Sequence, residues 1–138
     1  MLGRKSRAEM FSSSRVLELV ADLVKENDDI EVLWLYGSYA KNTNDIHSDL
    51  DLAVAFTPDF GGDAHGYPCD ELAYQWSKKT DKKISVVNIN RVPVPLASSI
   101  IQDGKILACK NYLRLHSEMQ RIWSLWENFR YEHKKHRK

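Results

Sequence analysis

Cysteine is scarce in this 138-residue chain, limited to Cys69 and Cys109. Neither sits in a Cys-x-x-Cys spacing, which argues against a disulfide-stapled scaffold and a zinc ribbon, so neither receives a functional role. Long apolar runs are also missing. None approaches the roughly 18 residues that a membrane span needs, and Met1-Leu2-Gly3-Arg4-Lys5 lacks the apolar centre of a signal peptide. A cytoplasmic location and no membrane partner are expected. Charge of one sign is lacking as well: 20 Lys and Arg stand against 19 Asp and Glu, a net charge of +1. Such a balance argues against bulk binding of nucleic acid. His47 and His65 do not show the helical His-x-x-x-His spacing of a zinc site and are read as loop histidines.

What is present is enough apolar residue, 43% of the chain, to bury one core, and too little length for a second large substrate domain. A single domain over 1–138 is expected, with its core at about 16–110 and a C-terminal helix at about 111–136. Ser12, Ser13 and Ser14 offer caps for an amphipathic helix from Arg15 to Glu26, with Val16, Leu17, Leu19, Val20, Leu23 and Val24 on its buried face. Further helices are predicted from Asp70 to Lys79 and from Leu96 to Gln102. Strands are predicted at 32–36, 48–56, 83–90 and 105–110. The pattern gives an α/β (α+β) fold, a mixed sheet flanked by helices.

The most informative stretch joins two of those strands. Val32 to Tyr36 is an apolar run that ends at Gly37, where the absence of a Cβ lets the backbone turn sharply and come close to a ligand. Ser38 is suited to cap a short helix over Tyr39 to Asn42, whose unpaired N–H groups would face an anion. In Ser48-Asp49-Leu50-Asp51-Leu52, residues alternate faces along the strand. Asp49 and Asp51 therefore project the same way while Leu50 and Leu52 enter the core. Two neighbouring carboxylates repel, and a hard divalent cation would neutralise them. Mg²⁺ suits this arrangement because it takes one or two carboxylates and completes its shell with substrate phosphates and water. Lys41, one turn past Ser38, is placed either to steady a triphosphate or as a solvated lysine.

Gly37-Ser38, ten residues, then Asp49-x-Asp51 resembles the signature of the polymerase-β-type nucleotidyltransferases. Because the chain ends soon after the core, it is most similar to the minimal members of that superfamily, the MntA-like antitoxins that accompany HEPN-family ribonuclease toxins. The likeness runs from about Val16 to Tyr131, and only the Gly-Ser/Asp-x-Asp part is sharply diagnostic. It implies that Gly37, Ser38 and Lys41 bind nucleotide, that Asp49 and Asp51 hold Mg²⁺, and that Ser38, Asp49 and Asp51 form the catalytic set. The implied reaction is transfer of AMP from ATP to a tyrosine hydroxyl of the cognate HEPN toxin. The implied partners are that toxin and ATP, with no nucleic acid.

One departure from the family stands out. Many members carry a third acid on the strand after the Asp-x-Asp strand, where this chain offers Ser85 or Asn88, with Asp81 just before the strand. Neither Ser85 nor Asn88 is a base at neutral pH, which leaves open a second reading: an antitoxin that neutralises mainly by non-covalent binding. The aromatic C-terminal helix, with Trp123, Trp126 and Phe129, is then the contact surface. Arg130 and His136 match the loose Arg-x5-His spacing of a HEPN ribonuclease, but that motif belongs to an all-helical fold. Residues 57–68, dense in turn formers, are read as a loop beside the site.

Overall fold

Val16, Val20 and Val24 recur every four residues and so share one side of a helix, α1 (Ser13–Lys25), where all three are buried. Leu17 and Leu23 flank them, partly buried against the same core. After Asn27 the chain enters β1 (Ile30–Tyr36), and β2 spans Leu50–Phe56. Then follow α2 (Tyr67–Thr80), β3 (Ile84–Asn88), α3 (Val94–Asp103), β4 (Lys105–Cys109) and α4 (Tyr112–His136). The computed structural model describes residues 13–45, 47–58 and 67–136.

The strands form one sheet in the order β3-β2-β1-β4. β1 runs antiparallel to both β2 and β4, while β2 and β3 are parallel and joined through α2. Strand alternation divides the buried residues between two layers. Leu33, Leu35, Leu50, Leu52 and Val54 face α1 and α2, where Leu72 and Trp76 complete the cluster. Val32, Trp34, Ala53 and Ala55 face the other way, onto Ala97 and Ile100 of α3 and Leu115 and Ile122 of α4. Trp34 is paired across the strands with Ala53, so a large side chain fills the room left by a small one. Gly104 ends α3 by donating its N–H to Ile100 O at 2.9 Å. A Cβ there would press on the carbonyls of Ile100 and Leu35, so the glycine permits the close passage from α3 into β4. Cys69 and Cys109 lie in opposite layers.

The mixed sheet flanked by helices matches the expected class. Several boundaries differ. Ser48 and Asp49 precede β2, and β3 stops at Asn88, because residues 89–92 turn toward Pro93. Both α2 and α3 start earlier than expected, each with a proline in its first turn, where its missing N–H costs nothing. Asn111 caps α4, its side-chain oxygen accepting the Arg114 N–H at 3.1 Å. Arg114 itself joins α4 to β1, β2 and the turn after β3. Its guanidinium donates to Glu31 at 3.1 Å, Glu118 at 3.2 Å, Asn90 at 2.9 Å and the Phe56 carbonyl at 2.7 Å. Glu118, buried, also takes Arg121 at 2.7 Å and Asn90 at 2.9 Å, so its charge is fully met. Beyond Ile122 the helix surface is mostly exposed, and Trp126, Phe129 and His133 stack along it. No helix among the described residues is long and apolar enough to cross a membrane.

Candidate functional site

The site stands at the end of the sheet where β1 finishes and β2 and β3 begin. Tyr36 pairs with Asp51, and Asp51 pairs with Ser85, so these three residues form a row across β1, β2 and β3. Directly paired residues share a face of the sheet, and here it is the face that Trp34, Ala53 and Ala55 present to α3 and α4. Leu50 and Leu52 are fully buried on the opposite face, which forces Asp51 outward. Asp49 lies two residues before Asp51, on the same side and one step nearer solvent.

The turn after β1 is fitted to Asp51. Gly37 has φ +74°, the left-handed region, and a Cβ on it would run into the Asp51 carboxylate. Glycine is thus required twice, by its dihedral angle and by the space it leaves. The helix expected over Tyr39 to Asn42 is replaced by a tight turn. Ala40 and Lys41 donate their N–H groups to Gly37 O, Asn42 donates to Tyr39 O, and Thr43 donates to Ser38 O at 2.9 Å. Asn42, at φ +60°, stops the coil after one turn. These bonds consume the N–H groups of 40 to 43. Among the described residues no hydrogen bond engages the N–H of Ser38 or Tyr39, which leaves at most these two backbone donors, not four, for an anion. Asp45 and Ser48 close the rest of the connection through the Asp45 N–H to Ser48 Oγ, 2.9 Å.

Negative charge, met only at its outer edge by Lys83, marks the carboxylate pair. Burial, and second the charge of Asp49, raise the Asp51 carboxyl above its usual range. Burial and the charge of Asp51 push the Tyr36 phenol up to about 12, so it stays neutral beside the acid. Lys83 Nζ lies 3.8 Å from Asp49 Oδ2, with side chains 82% and 43% exposed. A pair so open to water contributes at most about 1 kcal/mol. Lys82 stands next to it, its ammonium 5.1 Å from the centre of the Tyr39 ring.

The donor set tests what this site can hold. Among the described residues no three His, Cys, Asp or Glu side chains gather closely enough to cage a metal ion. Asp81, in a left-handed turn after α2, does not join the pair. Two neighbouring carboxylates, the inner one with raised proton affinity, fit a hard cation that takes its remaining oxygens from a phosphate ligand and water.

Several expected residues stand apart from this centre. Lys41 is exposed on the turn. His47 is an exposed loop residue whose N–H bonds Asp45, and His65 lies outside the described residues. The stretch 59–66, most of the expected loop beside the site, is also outside them. Its flanking residues leave β2 at Phe56 and enter α2 at Tyr67, five strand positions or roughly 17 Å from Asp51, which is at the other end of the sheet. A cavity of about 180 Å³ opens there, lined by Asp29, Phe56 and Leu72 among others, and it is not part of the carboxylate site. Arg130, on the exposed end of α4, pairs with Glu127 at 3.4 Å. Two residues that pattern reading passes over, Tyr36 and Lys83, line the site. Aligning Lys83-x-Ser85 with Asp49-x-Asp51 as parallel neighbours is the signal that reveals Lys83.

Known proteins share this fold. Among curated relatives, the protein adenylyltransferase MntA of Shewanella oneidensis is 22% identical over 99 residues, 72% of this chain. The match spans 66% of the length of that relative. A toxin–antitoxin structure solved with AMP-PNP superposes with a TM-score of 0.72 at 20% identity, covering 86% of this chain and 93% of that one. The complex of tri-AMPylated Shewanella oneidensis HEPN toxin with MNT antitoxin gives 0.67 at 17% identity, covering 88% and 92%. At such identities the superpositions speak for the fold. Residues 18–113 match the family described as Polymerase beta, Nucleotidyltransferase, and with all four strands and both aspartates inside that span, the chain belongs to the polymerase-β-type nucleotidyltransferase family.

Proposed function

We propose that this protein is an antitoxin that transfers AMP from ATP to a tyrosine hydroxyl of a cognate HEPN-family ribonuclease toxin, with Mg²⁺ as cofactor, in the cytoplasm. The observation that carries the reading is the placement of Asp49 and Asp51 on one face, with Asp51 against the Gly37 turn. Gly37 and Ser38, with the free N–H groups of the turn, receive the triphosphate, and Lys41 lies on the same turn to add its charge. Asp49 and Asp51 hold Mg²⁺, which when bound offsets charge developing on the phosphates. The tyrosine oxygen of the toxin forms a bond to the α-phosphorus while the bond to the bridging oxygen breaks. Pyrophosphate leaves, and the phenolic proton is released to water. A phenol, with a pKa of about 10, makes less demand on a base than an aliphatic alcohol, which suits a site with Ser85 where a third acid would stand. The family membership supports nucleotidyl transfer, and the names of the relatives support the toxin as acceptor.

The test is the intact mass of a cognate HEPN-family toxin, the partner this reading requires, after incubation with this protein, ATP and Mg²⁺. Gains in whole AMP units are expected, and none with Asp49→Ala plus Asp51→Ala. A mass that never changes rejects transfer. Ser85, paired with Asp51 in the row where a carboxylate would complete the site, favours one alternative, neutralisation by binding alone. Ribonuclease inhibition by this protein in the absence of ATP would identify that mode.

A further inference from the structure

At the open margin of the sheet Lys83 faces the acid pair, and its position follows from strand register. The Leu50 N–H donates to the Lys83 carbonyl at 2.9 Å, extending the β2–β3 ladder by one step before either strand begins in full. Asp51 then pairs with Ser85, so the residues two places earlier, Asp49 and Lys83, stand on the same face, and their charged ends lie 3.8 Å apart. Lys83 is therefore held opposite Asp49 by backbone pairing, while its long side chain, 82% exposed, remains free to swing. Among the described residues no salt bridge reaches Asp51.

We propose that Lys83 is an exchangeable counter-ion, pairing with Asp49 in the empty site and turning to the phosphates of a nucleoside triphosphate when a divalent cation takes Asp49. The inference rests on the nucleotide-binding reading of the site. Its physical basis is a competition. While Lys83 neutralises Asp49, a free divalent cation must displace an ammonium and then sit beside it, so it binds weakly on its own. A triphosphate arriving with the cation brings the negative charge that Lys83 gives up, so the two ligands favour each other. Removing Lys83 must then move the two affinities in opposite directions, which a merely structural lysine would not do.

Isothermal titration calorimetry tests this with Mg²⁺ alone, and with a non-hydrolysable ATP analogue in saturating Mg²⁺. For Lys83→Ala we expect affinity for Mg²⁺ alone to rise about threefold. Affinity for the analogue is expected to fall about tenfold. Lys78→Ala, which removes a charge from α2 beside Tyr74, controls for overall charge and should change neither. Both affinities moving the same way, or neither moving while wild type binds the analogue, overturns the role of Lys83. Failure of wild type to bind the analogue at all overturns the nucleotide-binding reading, and this inference with it. Circular dichroism confirms that each variant is folded.

Discussion

Gly37 and Asp51 share one small volume: the space in which a Cβ of residue 37 would sit is occupied by the Asp51 carboxylate. The turn and the acid are therefore a single fitted unit, although they come from different strands.

Gly37→Ala should damage both halves of that unit. A left-handed φ costs an alanine about 1–2 kcal/mol, and displacing Asp51 adds to it. Urea denaturation is expected to show a loss of about 2 kcal/mol. Binding of an ATP analogue with Mg²⁺ should fall below detection in the folded variant. A variant that binds normally would mean that Asp51 is placed by its strand alone.

Asp51 costs stability, and the sign of its pH dependence follows. Asp51 has a raised folded-state pKa, so the folded protein holds this proton more tightly than the unfolded chain. The ionised carboxylate opposes folding at neutral pH, and the opposition fades as pH falls through the raised value to below the ordinary 3.8. Asp51→Asn should accordingly match or exceed wild type in Tm at neutral pH, with the gap closing in acid. For Tyr36 the window is alkaline: the neutral phenol favours the fold below the ordinary value of 10.0, and this contribution is lost as pH rises through about 12. Tyr36→Phe should flatten that limb. Calorimetry at a series of pH values follows both.

Arg114→Ala should be far more disruptive than loss of any exposed pair. It removes the guanidinium shared by Glu31 and Glu118, leaving Glu31 only the amide of Asn111, and unties α4 from the carbonyl of Phe56. Removing one member of such a buried cluster costs about 3 kcal/mol or more. Arg130→Ala, which breaks only an exposed pair with Glu127, should change stability by less than about 0.5 kcal/mol. Equal effects in urea denaturation would contradict the description of the cluster.

Local pattern reaches some of this architecture and stops at definite points. Alternation alone places Asp49 and Asp51 together, because Leu50 and Leu52 must go inward, and every-fourth-residue valines define α1. Both are properties of a few consecutive residues. Tyr39 to Asn42, capped by Ser38, reads as helical for the same local reason, yet Asn42 takes a left-handed conformation and the coil ends after one turn. Lys83 and Tyr36 join the site through cross-strand register, which one strand does not contain. The Arg114 cluster unites residues up to 83 positions apart, and no window along the chain spans that distance.

The position of the two acids in the sheet makes them mechanically unequal. Asp51 belongs to a strand with neighbours on both sides, so moving its backbone would tear two ladders at once. Asp49 lies just before the strand, beside a swinging lysine and below a turn-rich connection. One carboxylate is a fixed datum and the other is adjustable, so any closing of the site around a ligand would be led by Asp49 while Asp51 stays where the sheet holds it.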